Sequence, residues 1–257
     1  MTSATRKKAK FNKKVEDRRP KNQEEGISLV ESLLSLSLFF LLFFTSLQFF
    51  GFARNSFFKL KETETAREGA LLALEKIKID LLQGGFGLLK PLRLELLKGI
   101  EEKGQTLIIL SKEKDFHLLD NIAASQTRIP LETTKGMKNR REICIFDSKK
   151  GEIKDISSLT DKSITLDSPL IYSFLKKESR IILLKRIILF FDEKKQIIRR
   201  KVNNSSSQPL LEEAVSFDFS YSEASNLLNL RLCLEPEKEK TYEISVFPKN
   251  MALVSIR

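Results

Sequence analysis

Histidine is nearly missing from this chain: His117 stands alone among 257 residues, alongside no tryptophan and only two cysteines. A protein-bound metal needs three or four converging ligands, and one histidine with two unclustered cysteines cannot supply them. No Ser/His/Asp or Cys/His constellation can be assembled around His117, which reads as a surface or loop residue. The expectation is therefore a protein without metal or cofactor that is not an enzyme. Cys144 and Cys233 lack CxxC spacing and read as free thiols in strands. A single bridge between them is the alternative if the domain lies in an oxidising compartment. Gly84, Gly85 and Gly87 make no phosphate loop, because no Lys-Ser/Thr pair follows them and a helix precedes them.

Excess positive charge is present but not concentrated on one element. The net charge is +11, and residues 1–26 hold nine Lys/Arg against four Asp/Glu. Over the remaining chain 36 basic residues alternate with 30 acidic ones. A nucleic-acid surface clusters its cations, commonly among aromatics. No direct nucleic-acid binding is expected here.

What the chain does have is one long apolar run. Residues 1–25 carry almost no apolar side chains and cannot bury a core. Gly26 follows, then residues 27–53, in which Glu31 is the only charge. From Ser32 to Ala53 there are 22 uncharged residues, past the roughly 20 that cross a bilayer as a helix. The upstream Lys/Arg excess keeps that end cytoplasmic and sends the rest across. A secretory signal peptide fits poorly, since the run exceeds the apolar core of such signals and no A-x-A site closes it.

The helix is expected to continue past the membrane segment. Phe57, Leu60, Ala66, Ala70, Leu74, Ile77 and Leu81 recur at threes and fours, while Glu62, Glu64, Arg67, Glu68, Glu75, Lys76 and Asp80 fill much of the rest. The glycines at 84, 85 and 87, then Pro91, end it. Together the two halves make about 55 residues, on the order of 80 Å of helix.

Beyond residue 91 the period changes to two. Short runs at 106–110, 142–146 and 163–166 read as strands, and 180–191 with 196–202 as a hairpin turning at Asp192-Glu193-Lys194-Lys195. In 214–222, Val215, Phe217, Phe219 and Tyr221 face one way. Leu228, Leu230, Leu232 and Leu234 share a face, as do Tyr242, Ile244 and Val246. Such alternation belongs to antiparallel sheets with one covered face, and the helix at 54–82 is the natural cover. Residues 111–141 and 203–209 read as loops. The fold class is α+β, organised as 1–26, 27–53, 54–90 and 91–257.

Gly26-Ile27-Ser28-Leu29-Val30-Glu31, after a basic leader and before a hydrophobic run, resembles the processing signal of type IV pilin-like proteins. The resemblance implies that a prepilin peptidase cuts between Gly26 and Ile27 and methylates the new amine of Ile27. It makes Glu31 the fifth mature residue. Two features depart from the pattern: Ile27 replaces the more usual Phe or Met, and the leader is long. Residues 163–252 resemble the minor pilins and pseudopilins of the PilW and GspJ kind. That implies a filament subunit near the tip, with an inner-membrane assembly platform and other pilin subunits as partners. It further implies an inner-membrane location with the C-terminal domain extracytoplasmic, in a type II secretion, type IV pilus or DNA-uptake machine.

Physical argument supports the spacing separately. Glycine removes steric hindrance where an extended backbone must enter a protease. A carboxylate at the head of a membrane segment is tolerated mainly with a partner. A neighbouring subunit's free amine at Ile27, made by cleavage, is such a partner. The plainer alternative is an unprocessed, single-pass anchored binding protein in which Glu31 snorkels to the interface.

Overall fold

The computed structural model describes residues 28–235 and 240–255; Gly26 and Ile27 lie outside them. The chain divides into two units, Met1–Ser56 and Phe57–Arg257. One helix, α1 (Leu29–Leu82), holds 54 residues. Its described apolar side chains from Leu29 to Phe52 are all exposed. Among the described residues it is the one helix long and apolar enough to cross a membrane. Within this stretch Ser37 Oγ donates to Leu34 O at 2.8 Å and Thr45 Oγ1 to Leu41 O at 3.0 Å. These hydroxyls are satisfied on the helix's own backbone and require no water.

The second unit is α+β. After α1 come α2 (Leu89–Arg93), β1 (Ile100–Lys103), β2 (Thr106–Phe116), β3 (Arg128–Pro130), β4 (Glu142–Phe146), β5 (Gly151–Thr160) and β6 (Ser163–Leu166). β7 (Arg180–Asp192), β8 (Ile197–Val202), β9 (Gln208–Leu211), β10 (Ala214–Ser222), β11 (Leu227–Leu234), β12 (Thr241–Val246) and α3 (Lys249–Ser255) complete it. Nine strands form one sheet in the order β1-β2-β7-β4-β5-β6-β3, with β8 and β9 branching from β7. The other three form a separate sheet, β10-β11-β12. All the strand pairings are antiparallel.

β7 organises the larger sheet. Along one edge it pairs with β2 from Ile181 to Phe190. Along the other it pairs first with β4, through residues 180–183, and then with β8, through residues 187–192. Its side chains are buried on both faces, which is why its sequence is nearly continuous in Ile, Leu and Phe rather than alternating. Ile181 and Leu183 enter one core with Phe116, Leu131 and Phe174, whereas Ile182 and Leu184 enter another with Leu88, Leu92 and Ile108. Ile187 and Leu189 enter a third.

That third core joins the two sheets to α1. Ala70, Ala73, Leu74, Ile77 and Leu81 meet Leu107 and Ile109 of β2, Ile198 of β8 and Leu228, Leu230, Leu232 and Leu234 of β11. The small residues Ala66, Ala70 and Ala73 let strands approach the helix closely. The stripe therefore begins at Ala66, and the expectation of packing at Phe57 and Leu60 is corrected: they are 64% and 65% exposed.

Other differences have local causes. Val215 is exposed because a bulge between Ala214 and Ser216 turns Ala214 inward in its place. Residues 111–116 extend β2, 128–130 form β3 and 208–209 begin β9, so the two expected loops are shorter than read. α1 ends at Leu82, just before the glycines expected to stop it, and Pro91 lies inside the short helix α2. The hairpin turn sits one residue later, with Asp192 still paired to Ile197. Cys144 and Cys233 are both free thiols on different sheets, so the alternative bridge is not formed. Cys144 is sealed among Leu88, Leu92 and Ile182, while Cys233 Sγ lies 3.4 Å from Thr241 Oγ1.

Candidate functional site

The head of α1 is the first candidate. Ser28 precedes the first helical residue, and its backbone N–H donates to Glu31 Oε2 at 3.0 Å. In return Val30 N–H donates to Ser28 Oγ at 3.4 Å. This reciprocal pattern is a capping box, with the acidic side chain satisfying a backbone donor that the helix cannot. A carboxylate in the first turn also complements the positive end of the helix dipole. Both residues are exposed. Glu31 thus has a local role, and it is the only charged residue from Leu29 to Ala53. The sequence reading placed the scissile bond at Gly26 and Ile27, outside the described residues, so only Glu31 of that motif can be located.

The second candidate is the gap that β7 leaves between β4 and β8. Residues 184–186 have no strand on that edge, and side chains take the backbone groups instead. Arg141 Nη2 donates to Leu184 O at 2.8 Å, and Asn203 Oδ1 accepts from Arg186 N–H at 2.9 Å. Asn203 N–H donates to Arg186 O at 2.7 Å. The notch encloses about 580 Å³ and is lined by Arg140, Arg141, Arg186 and Lys201 together with Glu142, Asp155 and Asp167. Arg186 makes two bonds to Glu142, at 2.6 and 2.9 Å, and Arg141 pairs with Glu113. Its Ser157 hydroxyl donates to Thr165 O and Leu166 O. The notch is an ion-paired plug where β7 changes its strand partner.

A third cluster escaped the sequence reading. Asp80 is 2% exposed and receives Arg200 Nε at 2.6 Å and Nη2 at 3.0 Å, joining the last turn of α1 to β8. The periodicity of the apolar residues alone places Asp80 among the polar residues that fill the rest of the helix. The signal was available, because residue 80 lies three after Ile77 and seven after Ala73, on the buried stripe. The helix end is further held by Asn250 Nδ2, which donates to Leu82 O at 3.0 Å.

His117 is exposed just beyond β2. No group of three or more His, Cys, Asp or Glu among the described residues could hold a metal ion. Burial pushes the Cys144 thiol up to about 12. A thiol so protonated is a packing group, not a nucleophile.

No protein-family model matches the chain, and no curated protein matches it. Among solved structures it is similar to part of the Gp54 tailspike of Acinetobacter baumannii bacteriophage AP22, at 12% identity and a TM-score of 0.27. That match covers 30% of this chain, which spans about 15% of the tailspike's length. Part of the tailspike gp49 from Pseudomonas phage LKA1 is similar at 16% identity and a TM-score of 0.24, covering 26% of this chain and 14% of that one. The phage phi92 endosialidase follows at 9% identity and 0.19, covering 50% and 29%. Likeness at these TM-scores carries no argument about fold or function.

Proposed function

We propose that this protein is a minor subunit of a type IV pilin-like filament, a minor pilin or pseudopilin anchored by α1 in the inner membrane. The observation that carries the reading is Glu31: one carboxylate, the single charge from Leu29 to Ala53 of α1. A prepilin peptidase would cut between Gly26 and Ile27 and methylate Ile27. The amine so created would pair with Glu31 of a neighbouring subunit and set the axial register. Support comes from α1 itself, which runs from an exposed apolar stretch into a stripe that builds the core of an antiparallel domain.

N-terminal mass spectrometry of the protein from its native membrane tests this. The expected chain begins at N-methylated Ile27. An intact Met1 start in cells with active prepilin peptidase would sink the proposal. Glu31→Ala should leave cleavage largely intact while incorporation into filaments falls about thirtyfold or more, as loss of a desolvated ionic partner predicts.

The capping box favours a second reading, an unprocessed single-pass anchored protein whose domain binds a partner. There Glu31 serves the helix start alone, and Glu31→Ala would change helix stability by about 0.3–1 kcal/mol without touching any assembly.

A further inference from the structure

Residues 167–179, between β6 and β7, form neither strand nor helix beyond one isolated bridge, yet their backbone is pinned repeatedly. Ile122 and Phe174 exchange two hydrogen bonds, at 2.9 and 2.8 Å, and Asn121 Oδ1 accepts from Lys176 N–H at 2.8 Å. The Glu152 carboxylate receives the N–H of Ile171 at 2.8 Å and that of Tyr172 at 2.7 Å. Glu152 is only 7% exposed and has a third partner in Lys154 Nζ at 3.4 Å. Leu170 and Phe174 plug into the core beneath. Burying a carboxylate is costly, and this one is used to fix two loop amides.

The side chains so fixed are turned outward. Ile171, Tyr172 and Leu175 are 69%, 43% and 53% exposed. Lys150 Nζ lies 5.5 Å from the Tyr172 ring centroid and further restrains it. Lys176 and Lys177 follow in the chain, both exposed, with Glu178 the one acid beside them. Exposed apolar side chains on a pinned backbone, with lysines next to them in the chain and over the Tyr172 ring, have already given up part of the freedom that binding would remove. Ile171 and Leu175 are aliphatic, and they suit the side chains of another protein better than the flat faces of bases or sugars.

We propose that this loop is a preformed docking surface for an acidic segment of another protein. Apolar side chains of that segment would cover Ile171, Tyr172 and Leu175, and its carboxylates would meet Lys150, Lys176 and Lys177. The proposal holds whether or not the chain is a filament subunit.

The test uses the full chain in nanodiscs of zwitterionic lipid, panned against a display library of random linear peptides. Enriched peptides should combine Asp/Glu with apolar residues. Their affinity should fall about tenfold or more in the double variant Ile171→Ser, Leu175→Ser. The charge-reversed Lys176→Glu, Lys177→Glu should bind more weakly and lose most of the salt dependence. All four positions are exposed, so the unfolding midpoint should stay unchanged, which separates lost contact from lost fold. The proposal is overturned by no enrichment, by enrichment without acidic bias, or by variants that bind as the wild type does. It is overturned as well if vesicles containing phosphatidylglycerol bind through these same residues while acidic peptides do not, which would assign the surface to lipid.

Discussion

Asp80 and Arg200 together place a charge pair in the core formed by helix and strands. Two parallel bonds join them, at 2.6 and 3.0 Å, where Asp80 has almost no access to water. Removing one partner leaves the other charged and desolvated. Asp80→Ala should therefore lower the unfolding free energy by about 3–5 kcal/mol, measured by denaturant titration in micelles. The double variant Asp80→Leu, Arg200→Met should recover most of that loss, because the desolvation cost leaves with both charges. Cys144 gives a prediction of another kind. Its folded pKa of about 12 lies above the ordinary 9.0. The folded state therefore keeps the proton longer than the unfolded state. Its contribution to stability is complete below pH 9 and is lost as pH rises towards 12. The loss would be on the order of 4 kcal/mol for this group alone. Cys144→Ala should flatten the alkaline slope of stability against pH. At neutral pH a thiol reagent should label Cys233 in the native protein well before Cys144.

At the scale of elements, α3 depends on two glycines. Met251 enters a space where a Cβ on Gly99 would collide with its sulfur and with the Gly85 backbone, 3.0 Å away. Gly99→Ala should destabilise the protein by roughly 1–3 kcal/mol, and hydrogen exchange should show α3 amides losing protection first. The elements differ in how readily they could be read from sequence. β11 was legible because Leu228, Leu230, Leu232 and Leu234 alternate with Asn229, Arg231 and Cys233, as a sheet with one covered face demands. β5 was missed because its sequence, GEIKDISSLT, does not alternate and contains a register shift between Ile156 and Ser158. β1 is four residues with two glutamates, and it exists through pairing with β2, a tertiary fact without local trace. At the candidate sites Glu31 stood out by contrast with its apolar surroundings. Glu152 did not, since an acid between Gly151 and Ile153 gives no sign that it will bind amides about twenty residues away.

For the whole molecule, the membrane-length helix and the α+β domain could be inferred from two periods and one long apolar run. The branching at β7 could not, because no local pattern tells a strand to change partners halfway along an edge. Its energetic weight is testable: Leu183→Ala and Leu189→Ala remove side chains from different cores. Each should cost about 2–5 kcal/mol and both should unfold in one transition if the cores act together. The stripe on α1 carries a further consequence, in the order of synthesis. Ala70 to Leu81 are made early, yet they meet partners as late as Leu234 and Val246. Ile100, Leu107 and Ile109 follow soon after, but the part of the helix face that β11 and β12 cover stays open until well over a hundred further residues have emerged. Closing such distant contacts is slow. A chain halted after β9 should thus expose the stripe to protease in a pulse experiment, while one completed through β12 should protect it.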